Sequence, residues 1–135
     1  MRQHNFSMAM APWFCAGLAA LLVAGLFYGG AQPVAVGLLA EPWDKLAHAS
    51  LFAVIAGLLA LSRPGLTWRW SLVCLLVTMT VGAMDELHQH FLPGRSADWS
   101  DLAADTFGAG LSVLLLKLMN IRLYRERAVE LKEVS

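Results

Sequence analysis

Asp85-Glu86-Leu87-His88-Gln89-His90-Phe91-Leu92-Pro93-Gly94-Arg95-Ser96-Ala97-Asp98-Trp99-Ser100-Asp101-Leu102-Ala103-Ala104-Asp105 is the stretch on which the reading of this chain turns. It carries five of the ten acidic residues, two of the four histidines, and an arginine just behind Pro93-Gly94. Apolar runs too long and too pure for soluble helices flank it on both sides. Ionisable groups are costly in and beside a bilayer, so a dense polar knot between membrane-spanning segments is the first place to look for function.

The totals agree with that setting. Hydrophobic residues make up 58% of the 135-residue chain and charged residues 15%, against about 25% charged in an average soluble protein. Mean hydropathy is +0.58, which places the chain in the membrane class before any motif is read. Its length suits a single integral membrane domain, residues 1–135. Formal net charge is zero, so no global field draws nucleic acid, and no nucleic-acid partner is expected. Cys15 and Cys74 lie inside apolar runs and behave as small hydrophobes, without disulfide or metal-type spacing.

Outward from the knot, the chain divides into four helices. Ala11 to Ala31 contains no charge and is long enough to cross about 30 Å of hydrocarbon at 1.5 Å per residue. Gly29-Gly30-Ala31-Gln32-Pro33 then breaks it. A cleaved signal peptide is the competing reading, because Gly29 and Ala31 suit a small-residue cleavage site. The apolar core is longer than most signal cores and Arg2 is the lead's one positive charge, so a retained helix is expected. After a mildly apolar connection, Trp43 is placed as an interface anchor and Asp44-Lys45 opens a second run, Leu46 to Ser62. The third run, Trp70 to Met84, is short for a span, so its helix is expected to continue through Asp85–His90. The fourth helix is expected from Asp101 to Met119, capped by Asp98 or Ser100. The tail 120–135 alternates Arg/Lys with Glu and reads as an amphipathic surface helix.

Eight of the ten basic residues fall in the N-terminal lead, the 63–69 loop and the tail from Lys117; only Lys45 and Arg95 lie in the other two connections. The positive-inside rule then puts both termini in the cytoplasm and the polar knot on the outer face. Small residues recur every fourth position at Ala16/Ala20/Ala24, Ala49/Ala53/Gly57 and Ala104/Gly108/Ser112, spacings that let helices approach closely in lipid. The expected fold is all-α: a four-helix transmembrane bundle.

Three helix ends carry polar pairs four residues apart, which share a helix face: Asp44 with His48, Asp85 with Gln89, and Asp101 with Asp105. Glu86 is similarly spaced from His90. Lys45 and Arg95 are the cations beside them. Each has a plainer reading. Asp98 and Asp101 suit the start of the fourth helix, where an anion meets the positive end of the dipole, Lys45 can snorkel, and His88 and His90 read as interfacial polar residues rather than metal ligands. The whole set also reads as a salt-bridge network sealing the bundle, although its density exceeds what four short helices need for packing.

Asp44-Lys45-x-x-His48-x-x-x-Phe52, then Glu86-x-x-Gln89-x-Phe91-x-Pro93-Gly94-Arg95-x-x-Asp98-x-x-Asp101, then Asp105-x-x-Gly108 resembles the VanZ-like family, small bacterial integral membrane proteins named for a teicoplanin-resistance accessory protein. The resemblance covers about residues 43–114, including the spacing between motif blocks. One departure is Asp105, where the family pattern usually has Asn. The resemblance implies a multi-pass protein of the bacterial cytoplasmic membrane, a cell-envelope role and, in some members, lowered glycopeptide susceptibility. It supplies no reaction.

Two functional classes follow. In the preferred one, Asp44, Lys45, His48, Asp85, Glu86, Gln89, Arg95, Asp98, Asp101 and Asp105 form an outward-facing pocket for the polar head of an envelope lipid or cell-wall precursor. Arg95 would grip phosphate or carboxylate, and Glu86, Gln89 and Asp101 would bond sugar or amide groups. No metal or cofactor is expected on this reading. In the alternative, the protein is an enzyme modifying such a lipid, with His48 or Glu86 as general base and Asp85, Glu86, Asp101 and Asp105 as oxygen ligands for Mg²⁺ or Ca²⁺. Neither a Gly-x-Ser-x-Gly nor a His-Glu-x-x-His motif is present. An ion path needs ionisable groups at several depths, and the inner halves of these helices are nearly uncharged apart from Lys117.

Overall fold

The computed structural model describes the backbone of residues 3–63 and 65–133 and the side chains of residues 12–63 and 65–120. Among the described residues the fold is all-helical: α1 (Gln3–Gly30), α2 (Trp43–Leu61), α3 (Trp68–His90) and α4 (Trp99–Glu133), with a 3₁₀ turn at Pro33–Ala35. All four contain segments long and apolar enough to cross a membrane: Pro12–Gly30, Trp43–Leu61, Trp68–His90 and Trp99–Asn120. The third span does extend through Asp85–His90. The backbone of α4 continues to Glu133, whereas the amphipathic pattern expected of 120–135 depends on side chains outside the described residues.

The exterior is apolar. Leu21, Leu76, Phe107 and Leu115 are all exposed, an arrangement that matches lipid as solvent and would mark an aggregation hazard in water. Hydroxyls in the helices are satisfied locally, as hydrocarbon demands. The lipid-facing Thr80 donates to the Leu76 carbonyl at 2.8 Å, and buried Thr78 donates to the Cys74 carbonyl at 2.6 Å.

Lipid tails are as apolar as leucine, so apolar burial supplies little force between helices and close packing must supply it. Here α2 and α4 make the most extensive helix pair. They run parallel, both starting at the polar end, and small residues line their contact. Gly108 lies directly against the backbone of Ala49, and Gly57 lies beside Ser112. Further along, Ala56, Ala60, Cys74, Ala109 and Val113 form a buried cluster. Cys74 fills it as a small hydrophobe, as its apolar surroundings in the sequence suggest.

The α1 stripe is different. Ala20 and Ala24 face outward, and Ala19 is the buried residue of this helix among its described side chains. A four-residue spacing marks a face but does not say which way that face points. The start of α4 also shifts: it begins at Trp99, two residues before Asp101. Asp98 is its cap, accepting from the Ser100 backbone N–H at 2.8 Å through Oδ1, while Ser100 lies inside the first turn. The carboxylate reaches the N–H two residues on, which is the geometry an N-cap requires.

Candidate functional site

The starts of α2 and α4 and the ends of α1 and α3 meet at one end of the bundle. Two helix N-termini there bring partial positive charge to Asp44, Asp98 and Asp101. Lys45 is the hub. Its ammonium is 2.8 Å from Asp101 Oδ1, 3.0 Å from Asp98 Oδ2, 3.3 Å from Glu41 Oε1 and 3.6 Å from Asp44 Oδ2. Its side chain is 26% exposed, so this is a clamp between α2 and α4 rather than a snorkelling chain.

Asp98 lies just outside the span. Hydrogen bonds from Ser100, followed by the one from Lys45, hold its carboxyl down to about 2 from an ordinary 3.8. A depressed folded pKa stabilises the fold above the unfolded value and loses that contribution as pH falls through the folded value. The Asp98 contribution is therefore constant above about 3.8 and disappears towards 2. Thermal unfolding of wild type and Asp98→Asn across pH is expected to give a constant Tm difference from pH 7 to 4.5 that narrows only below 3.8. A difference that shrinks already near pH 6 would assign the clamp to another group.

The four-residue spacings do not choose the partners. His48 does not pair with Asp44; its Nδ1 lies 3.0 Å from Asp105 Oδ1 across the α2–α4 contact. Asp101 and Asp105 separate likewise, the first to Lys45 and the second to His48. Glu86 does not reach the exposed His90; its Oε2 accepts the Asp98 backbone N–H at 2.6 Å, tying the end of α3 to the α4 cap. Only Asp85 and Gln89 pair as spaced, Gln89 Nε2 donating to Asp85 Oδ2 at 2.8 Å. Side chains on parallel helices in register meet across the interface at least as closely as along one helix, and there the charges are opposite.

Arg95 sits in a different environment. One terminal N–H donates to Gln89 Oε1 and another to the Ala35 carbonyl, both at 3.2 Å. Two of the five guanidinium N–H donors are thus used, Nε is buried without a partner, and no carboxylate pairs with Arg95 among the described residues. Gly94, with φ +76°, turns the chain here. A Cβ on it would touch Val36 at 3.4 Å, so the α1–α2 connection closes over the α3–α4 turn.

These elements enclose a cavity of about 700 Å³. Asp44, His48, Asp85, Gln89, Arg95, Asp98 and Asp101 line it, together with apolar Leu26, Leu38, Leu39 and Leu51. Lys45, Glu86 and Asp105 do not line it and hold the wall from behind. Among the described residues, the buried side-chain oxygens without a hydrogen-bond partner are Asp44 Oδ1, Asp85 Oδ1, Glu86 Oε1 and Asp105 Oδ2. His88 lies apart, its ring 5.4 Å from that of Phe27.

Sequence reasoning passed over the connection between α1 and α2. It supplies the Ala35 carbonyl, Glu41 and two leucines of the cavity wall, Leu38 and Leu39. One signal was available: Glu41 stands four residues before Lys45, a spacing that favours an ion pair.

The family model described as VanZ/LLP1 matches residues 6–120 of the chain. No curated protein and no solved structure matches it.

Proposed function

The chain belongs to the VanZ/LLP1 family, and from that membership and the geometry above we propose that this multi-pass membrane protein recognises the head group of an envelope lipid or cell-wall precursor. The observation that carries the reading is Arg95. Of the two cations at the polar end, Lys45 is saturated by carboxylates, while Arg95 faces the cavity with no carboxylate partner among the described residues. A guanidinium with unused N–H groups suits a phosphate or carboxylate. Asp44 adds a buried, unpartnered oxygen to accept from hydroxyl or amide groups. The leucines in the same wall suit the start of an acyl or prenyl chain, so the lining is amphiphilic as a lipid is.

Gln89 and Asp101 are better suited to support than to ligand contact, because their bonds to Arg95, Asp85 and Lys45 occupy them, and Glu86 does not line the cavity. The Lys/Arg distribution favours a pocket on the outer side of the bacterial cytoplasmic membrane. A role in lowering susceptibility to teicoplanin-type glycopeptides is consistent with a ligand of this class.

Native mass spectrometry of the detergent-purified protein tests the reading, with phosphatidylglycerol and a polyprenyl phosphate as separate probes. Wild type is expected to retain one of them. Arg95→Ala is expected to lose at least tenfold in retention, with Arg95→Lys intermediate because an ammonium cannot form the fork. Equal retention by wild type and Arg95→Ala, or none by wild type, would end the proposal.

A further inference from the structure

At the cavity wall, His48 and Asp85, which line it, and Glu86 behind them each offer one donor atom, and these three atoms lie within 4.8 Å of one another. We propose that they bind a divalent first-row transition-metal ion.

The carboxylates supply the first argument. Asp85 and Glu86 are 1% and 7% exposed, yet Asp85 Oδ1 and Glu86 Oε1 have no hydrogen-bond partner. A buried acceptor left unmade is costly, and two on adjacent residues beside His48 call for a partner. Their other oxygens are fixed, Asp85 Oδ2 by Gln89 and Glu86 Oε2 by the Asp98 N–H. Each carboxylate is thus held in place with one oxygen free.

The histidine supplies the second. An ionised Asp105 can only accept, so in a neutral imidazole the 3.0 Å contact with Asp105 Oδ1 calls for the ring proton on Nδ1. Nε2 is then left with its lone pair, the form in which imidazole binds metal. A carboxylate behind a metal-binding histidine is the usual device for fixing its tautomer and ring orientation. Asp105 is buried on α4 and stands where it can act in this way.

Charge supplies the third. The polar end holds seven carboxyl groups, Glu41, Asp44, Asp85, Glu86, Asp98, Asp101 and Asp105, against Lys45 and Arg95. Lys45 serves Asp98 and Asp101, and Arg95 serves no carboxylate among the described residues, so Asp85 and Glu86 have no cation of their own. Donors 2.0–2.2 Å from a cation stand roughly 3–4.4 Å apart, so small side-chain rotations close the set. One imidazole with two carboxylates favours manganese, iron or zinc over an all-oxygen calcium or magnesium site.

The test needs no lipid, so its outcome is separate from that of the head-group proposal. Protein stripped by a chelator in detergent is titrated with Mn²⁺ alone. One ion per chain is expected, with affinity at least tenfold weaker in Asp85→Asn and in Glu86→Gln. Asp105→Ala is expected to weaken it by about tenfold or more through loss of histidine orientation. Pulsed electron paramagnetic resonance of the Mn²⁺-loaded wild type is expected to show coupling to an imidazole nitrogen, a reading that stands even where a variant fails to fold. No stoichiometric ion, unchanged affinity in both carboxylate variants, or a bound ion without nitrogen coupling would each overturn the site.

Discussion

Gly108→Ala is expected to lower the stability of the bundle by about 3 kcal/mol, the upper end of the usual overpacking cost. A Cβ at Gly108 would run into the Ala49 carbonyl oxygen, with the Ala49 carbonyl carbon at 2.7 Å and Cα at 2.9 Å. The obstacle is backbone, so relief requires α2 and α4 to move apart. That would carry Lys45 away from Asp101 and His48 away from Asp105. Two controls isolate the effect. A Cβ at Gly57 would meet Ser112 Oγ at 2.9 Å, a hydroxyl that can rotate away, and Gly110 has nothing within 4 Å. Gly57→Ala is expected to cost little, and Gly110→Ala to be neutral or slightly stabilising through helix propensity. Thermal unfolding in detergent, followed by tryptophan fluorescence and light scattering, gives the order. A Gly108→Ala protein as stable as Gly110→Ala would show that α2 and α4 are not packed as described.

His48→Ala is the second large effect. The Asp105 side chain is fully buried, its Oδ2 already lacks a partner, and His48 gives Oδ1 its one side-chain hydrogen bond. Removing the imidazole leaves a carboxyl group in a low-dielectric interior with neither oxygen satisfied. Breaking a buried pair from one side costs about 3–5 kcal/mol. The same principle predicts rescue. His48→Ala combined with Asp105→Ala removes the stranded group and is expected to recover much of the loss. Asp105→Asn alone is expected to be mild, because an amide still bonds His48. Measured with chelator present, so that no cation contributes, the double-mutant cycle should give a coupling well above 1 kcal/mol, in the range of contacting residues. Additive losses would mean that His48 and Asp105 act independently.

Much of the fold was legible because bilayer thickness is a strict ruler. The charge-free run before Gly29-Gly30 and the breaks at Gln32-Pro33, Pro64-Gly65 and Pro93-Gly94 delimit the spans. The shortness of Trp70–Met84 implied that Asp85–His90 stays helical, as α3 does. Helix ends were less secure. Trp99 opens α4 because Asp98 caps it, and from sequence Asp98 and Ser100 were equal candidates. The small-residue spacings served at Ala49/Gly57 and Gly108/Ser112, while in α1 the buried position is Ala19.

By itself the sequence determined the helical class, the span limits and the gathering of ionisable residues at one end, because these depend on local composition and on distance along one chain. Tertiary structure decided the partners. Lys45 meets Asp98 and Asp101, His48 meets Asp105, and Glu86 meets the Asp98 N–H. Each of these links joins two helices or a helix to a loop. Arg95 is left with a glutamine and a carbonyl, facing the cavity. The physical reason is that spacing along a helix fixes the direction of a side chain only relative to that helix. The rotation of α2 against α4, set where Gly108 lies on the Ala49 backbone, decides which of several matching charges come within hydrogen-bonding distance.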